Sequence, residues 1–398
     1  MPTEPTAPVD AGRRRSLLGA LAQVAGPARD TGSARVVRAP GRVNLIGEHT
    51  DYNLGFVMPA AIGLETWIGA LPRPDRRVEL TSLEQAETLA FDLDAIPPPS
   101  GGWIDYVAGT AQALLARGVA LRGFTGVVET AIPIGSGLSS SAALELASAL
   151  ALAADVPPAL PPLELARAAQ QAENDYVGVR CGIMDQFASV FGAPGAAIVL
   201  DCRSLEHQLV PLPSGHVLVA LDTRSPHRLE TSEYNARRRQ CEDAVRALAA
   251  RYPQVRSLRD VEPAMLDELA ALVDDETARR VRHVVSENER VLATAAALRA
   301  GRLSEVGRLM AESHASLRDD YEVSSAELDA LVEIATGVPG VVGARMTGAG
   351  FGGCTVNVVE LEAVDRLRGA VTREYRARTG RDAGFHVVAA VAGAGVVD

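Results

Sequence analysis

The densest run of chemically capable side chains is Glu48-His49-Thr50-Asp51, which follows the apolar stretch 42–46. Two carboxylates and an imidazole at a strand's end make a poor core, because buried charges are costly unless paired. They suit a polar ligand such as a sugar, whose hydroxyls need acceptors at fixed angles. A second run, Gly135-Ser136-Gly137-Leu138-Ser139-Ser140-Ser141, leads into an alanine-rich stretch expected to be helical over 139–154. Unpaired N–H groups and a partial positive charge make such a helix start an anion site, and the glycines would let phosphate approach the backbone. A plain serine-capped core helix stays open on this motif alone. Asp185 opens another apolar helix, with Glu173 twelve residues before it. An acid in a first turn often serves only the helix dipole. Tyr234 starts a helix over 231–251 and shares a face with Cys241, Val245 and Leu248, so it reads equally as ligand contact or core.

The segment from Gly348 to Gly353 matches GxGxxG, but a dinucleotide fingerprint must open a helix. Here CTVNVVE follows, alternating as a strand. Glycines between two strands suggest instead a loop with a backbone or ligand pressed against it.

Positioning these groups requires a mixed architecture. Strands are expected at 34–37 and 42–46 around a Pro40-Gly41 turn, and at 66–71, 78–83, 125–132, 196–201 and 217–222. The second half reads as mostly helical, with apolar residues at i, i+3, i+4 over 231–251, 279–299 and 303–317. A domain break falls near 205, dividing the chain into 16–205 and 206–398. Arg13-Arg14-Arg15 before SLLGALAQVAG superficially resembles an export signal. Leu17, Leu21 and Val24 at helical spacing, with Gln23 interrupting the apolar run, favour an amphipathic first helix.

Composition removes several function classes. A net charge of -11 argues against nucleic acid as the main partner. No stretch approaches the roughly 20 apolar residues needed to span a bilayer. All 39 basic residues are arginine, which excludes the Walker lysine, the strand lysine of protein kinases and Schiff-base chemistry. The four cysteines show no CxxC spacing and read as reduced thiols in a cytoplasmic protein. Oligomeric state leaves no readable trace, with a monomer favoured.

Together the motifs resemble the galactokinase family of the GHMP small-molecule kinase superfamily. GRVNLIGEHTDYN resembles the galactokinase signature, PIGSGLSSSAALE the superfamily's phosphate-binding motif and MTGAGFGGC its C-terminal motif; ENDYVGVRCGIMDQFAS and SEYNARRRQCE are also similar. The resemblance implies an α+β, two-domain GHMP kinase fold, with an N-terminal domain like ribosomal protein S5 domain 2 and a ferredoxin-like C-terminal domain. It implies ATP and Mg²⁺, with phosphate held by Gly135 to Ser141 and the metal by Ser141 and Glu173. Glu48, His49, Thr50, Asp51 and Tyr234 would bind the sugar, and Asp185 with Arg42 would serve phosphoryl transfer to the C1 hydroxyl of galactose. Sister kinases for N-acetylgalactosamine, arabinose or galacturonate would keep the same phosphate machinery. A silent sugar sensor would diverge in the serine run, which is uninterrupted here.

Overall fold

The computed structural model describes residues 8–26, 31–155, 160–225, 230–269 and 271–397. The first helix, Pro8–Ala25, buries Leu17 and Leu21 against Trp67 and Val127. Val24, expected on that face, is 36% exposed. Arg13 packs 5.0 Å over the Trp67 ring and pairs with Glu129 at 3.2 Å, so this arginine anchors the helix to the sheet beneath.

That sheet has six strands, in the order Gly395–Val396, Arg35–Asn44, Pro59–Pro72, Phe124–Thr130, Arg77–Ser82 and Glu87–Asp92. The Pro40-Gly41 turn expected from sequence is instead a bulge inside one continuous strand, where the register slips from Pro40↔Glu65 to Gly41↔Ile62. Glycine is required there by proximity: a Cβ on Gly41 would sit 2.5 Å from the Leu138 carbonyl oxygen. The missing side chain lets the loop before helix Ser140–Leu152 rest directly on the strand, and Arg42 N–H donates to Leu138 O at 3.1 Å.

A three-stranded sheet pairs Phe56–Val57 with Ala196–Asp201, and the latter with His207–Pro211. The break expected at 205 therefore falls inside a hairpin. The four-stranded second sheet begins with His216–Asp222, flanked by Cys354–Glu360 and Gly384–Val388, with Val341–Thr347 at one edge. The chain then returns, and Gly395–Val396 pairs with Val37 and Arg38 in the first sheet. The long helices Asp275–Arg299 and Leu303–Asp319 pack together, the latter also on strand Val341–Thr347. Helix Ala326–Thr336 goes beyond the sequence expectation; Ser325 caps it by accepting the Leu328 N–H. No described helix is long and apolar enough to cross a membrane.

A buried arginine ties the two sheets together. Arg345, on an edge strand of the second sheet, is fully buried and pairs with Glu48; its Nη1 also donates to the Asn44 carbonyl at 3.2 Å. Glu287 lies 3.7 Å from the same guanidinium. Burial alone would raise the Glu287 carboxyl, but Arg290 and Arg345 hold it down at about 2. Glu287 also accepts from Gly47 N–H at 2.8 Å and from Ser313 Oγ at 2.6 Å. Arg345→Met should cost about 3–5 kcal/mol, since it strands the buried carboxylate of Glu48 and leaves Glu287 with Arg290 as its cation. Urea unfolding with an unchanged midpoint would contradict this.

Candidate active site

Between the sheets lies a cleft of about 400 Å³. The sugar-type cluster forms one end. Asp51 begins the short turn Asp51–Asn53 and accepts the backbone N–H groups of Tyr52 and Met184. Burial first, and then the charge of Asp185, push its carboxyl up to about 6. Gly182 lies so close that a Cβ there would be 2.0 Å from Asp51 Oδ2, so this loop fits only as glycine.

Glu48 also lines the cleft, but its carboxylate is heavily used. Oε1 accepts Gly348 N–H at 3.0 Å, and Oε2 accepts Asn44 Nδ2 at 2.8 Å as well as Arg345. Burial pushes its pKa up against the pull of Arg345. His49 holds a left-handed backbone, φ 64°. Its Nε2 lies 3.1 Å from the Ala349 carbonyl, which can only accept, so Nε2 carries the proton and Nδ1 accepts from the Tyr52 hydroxyl at 2.9 Å. Both ring nitrogens are thus committed, and His49 meets the cleft with its ring. Burial, and then His283, hold its pKa well below the usual histidine range. Tyr234 faces the same end, with its ring 5.6 Å from that of His49 and 5.4 Å from that of Tyr52.

Thr50 is a correction. It is fully buried outside the cleft, and its hydroxyl proton is shared between the Gly47 and Phe56 carbonyls. It closes the turn that presents its neighbours.

The phosphate-type loop forms the middle. Gly135 and Gly137 take φ of 71° and 72°, and they line the cleft with Ser139, Ser140 and Ser141. Two members of the expected set turn away: Ser136 donates to the Pro133 carbonyl at 2.6 Å, and Leu138 is buried in the core. These two can offer only backbone to a ligand. Ser139 departs from the expected capping role. It is left-handed at φ 63°, and its hydroxyl donates to Asp185 Oδ2 at 2.5 Å. The glycine loop behind it is pressed on backbone, since Cβ atoms on Gly348 and Gly353 would lie 2.6 Å and 2.7 Å from the carbonyl oxygens of Gly137 and Ser136.

Asp185 stands between these two ends, in the first turn of helix Met184–Phe191. Arg42 meets it as a fork, Nε to Oδ1 and Nη2 to Oδ2, each at 2.8 Å. The third arm of Arg42 donates to the Gly137 carbonyl. Glu173 lies in a wide π-helical turn, Ala172–Val177, a distortion frequent at functional sites. Burial and then Asp185 push Glu173 up to about 7, while Ser141, Cys181 and Gln186 donate to it. Gln186 and the buried Glu145 escaped the sequence reading; the available signals were an amide beside Asp185 and a lone acid in an apolar helix.

Relatives carry the assignment further. The galactokinase galactose-binding signature matches residues 28–72, the GHMP kinases N terminal domain 105–193 and the GHMP kinases C terminal domain 294–377. The chain is 49% identical to a galactokinase of Chloroflexus aggregans, over 91% of this chain and 93% of that protein. The chain belongs to the galactokinase family. A galactokinase of Roseiflexus sp. is 46% identical over 91% of this chain and 93% of its own length. The crystal structure of Lactococcus lactis galactokinase complexed with galactose superposes with a TM-score of 0.91 at 39% identity, covering 96% of this chain and 99% of that one. Mevalonate kinase of Methanococcus jannaschii, 17% identical with a TM-score of 0.63, covers 90% of this chain and 99% of that one and shares the fold. Galactokinases are kinases that transfer phosphate to a sugar hydroxyl, and as GHMP kinases they use ATP.

Ser141 and Glu173, which both line the cleft, are of a donor type that fits a hard cation. Ser141 and Glu173 offer oxygen only, and among the described residues no group of three His, Cys, Asp or Glu could hold a metal unaided. Mg²⁺ is usually bound in that way, by one or two protein oxygens plus substrate phosphates. The raised Glu173 marks a buried carboxylate short of positive charge.

An ionised carboxylate is a stronger acceptor of hydroxyl protons than a protonated one, and Asp51 is the cleft acid expected from its sequence to meet a sugar. With its carboxyl near 6, sugar affinity should be flat above pH 7 and weaken as pH falls, by about tenfold at pH 5. Calorimetric sugar titrations from pH 5 to 8 check this; a flat profile would remove Asp51 from the contact.

Proposed function

We propose that this cleft transfers the γ-phosphoryl group of ATP to the C1 hydroxyl of α-D-galactose, giving α-D-galactose 1-phosphate and ADP. The observation that carries this reading is the position of Asp185, gripped by Arg42 and Ser139 between the sugar cluster and the phosphate loop. A carboxylate offers about four acceptor sites. Three are taken, one on Oδ1 and two on Oδ2, which leaves one on Oδ1 for the sugar hydroxyl. Asp51 accepts further sugar hydroxyls and Tyr234 closes that end. Glu48 and His49 hold the rim, the Glu48 carboxylate being engaged by Thr347, Gly348, Asn44 and Arg345.

The chain supplies positioning and charge, which phosphoryl transfer needs more than covalent help. Gly135, Gly137 and the first N–H groups of helix Ser140–Leu152 receive the phosphates. Arg42 keeps two N–H groups beyond its three bonds, and these stabilise charge on the transferring phosphoryl oxygens. The hydroxyl proton leaves to Asp185 late, as the oxygen–phosphorus bond forms. Ser141 and Glu173 would hold Mg²⁺, which when bound neutralises phosphate charge. The cleft is also lined by Trp103, Tyr106, Val128 and Leu144 with Ser82 and Gln85, a mainly apolar set with polar groups that suits the adenine ring.

Asp185→Asn should lower kcat by at least about a hundredfold while leaving ATP binding intact. A coupled assay for ADP showing near-normal turnover would sink the assignment. The same assay, run on galactose, N-acetylgalactosamine, arabinose and galacturonate, should give galactose the highest kcat/KM. A preference for one of the others would move this chain to a sister activity.

A further inference from the structure

Two fully buried polar residues, Gln186 and Glu145, have no part in the reading above. Gln186 Nε2 donates to Glu173 Oε2 at 2.7 Å and to Glu145 Oε2 at 3.0 Å. Between two carboxylates only the nitrogen end of an amide can serve both, which fixes its orientation. Glu145 lies four residues beyond Ser141, on the same face of helix Ser140–Leu152, so one helix face carries both a presumptive metal donor and the partner that orients the amide.

We propose that Gln186 is a positioning residue for metal-bound nucleotide: held by Glu145, it occupies Glu173 Oε2 and turns Oε1 toward the cleft. This rests on Glu173 being a metal donor. The need for such a brace follows from the local backbone. Glu173 projects from a π-helical turn, where the side-chain direction departs from that of a regular α-helix. Its remaining contact at Oε2, the Cys181 thiol at 3.5 Å, is a weak donor. The neighbour of Gln186 in sequence is Asp185, which faces Arg42 and Ser139. One turn of helix Met184–Phe191 thus aims both the carboxylate that meets the sugar and the one that meets the metal. Partners that orient a metal ligand typically contribute 10–100-fold in affinity.

The test is equilibrium binding of a non-hydrolysable ATP analogue, with Mg²⁺ and with EDTA, so that no turnover is involved. The ratio of the two dissociation constants reports the metal's contribution. Gln186→Leu should shrink that ratio by about tenfold, leaving the EDTA value and the dissociation constant for galactose unchanged. Glu145→Leu should shrink it less. Glu145→Gln, whose amide carbonyl can still accept from Gln186, should retain the ratio. Glu173→Ala is measured alongside. If Glu173→Ala leaves the ratio unchanged, the metal assignment itself fails. If it abolishes the ratio while folded Gln186→Leu keeps it, the brace alone is overturned. Equal losses for galactose and nucleotide would also overturn it, as they indicate general loosening. Should Gln186→Leu not fold, the Glu145 pair decides: equal ratios for Leu and Gln reject the proposal.

Discussion

The site depends on one buried guanidinium. Arg345 reaches from the second sheet to Glu48 at the end of the first sheet's bulged strand, with Glu287 from a long helix behind it. Buried ion pairs often add little net stability against an apolar alternative, but they specify geometry where partners cannot be exchanged. Here Glu48 is fixed by Arg345 on one side and by Gly348 N–H on the other, and the glycine loop starting at Gly348 lies flat against the phosphate loop. The sugar loop, the glycine loop and the phosphate loop therefore form a single stack, seated on a bulge that only Gly41 permits.

Within that frame the acids divide their work through their surroundings. Asp185 is surrounded by donors, with an arginine fork and a serine hydroxyl. Asp51 and Glu173 are buried near other carboxylates and hold their protons more tightly than exposed acids would. In the proposed reaction both would meet positive or hydroxyl partners brought by the substrates. In the proposed function, backbone N–H groups, a helix terminus and one arginine fork would take the place of the lysine of other kinases.

Much of this was legible in the sequence because local chemistry declared itself. The Glu48–Asp51 run, the Gly-Ser loop and the lone Asp185 each combine residue types that a core would not choose, and strand Ala196–Asp201 has the bounds that its apolar run suggests. What escaped depended on partners distant in sequence. Thr50 looks like a ligand residue beside Asp51, yet its hydroxyl is taken by two carbonyls of its own turn. Ser139 looks like a cap until Asp185, 46 residues away, accepts its proton. Pro40-Gly41 reads as a turn because the carbonyl that demands the glycine belongs to Leu138. Arg345 is the single charged residue of its strand, with nothing local to set it apart from a surface position, and the role of Gln186 depends on Glu145 and Glu173, 41 and 13 residues away.

The glycine-on-carbonyl contacts have a mechanical consequence. At Gly348 and Gly353 the glycine loop meets the phosphate loop without any side chain between them, and His49 pins the glycine loop through the Ala349 carbonyl. Such contacts leave no side chain that could repack between the loops, so a shift of one backbone is felt directly by the other. Loops seated backbone on backbone are ordered by folding itself, and a pocket ordered in folding costs a ligand less entropy to enter.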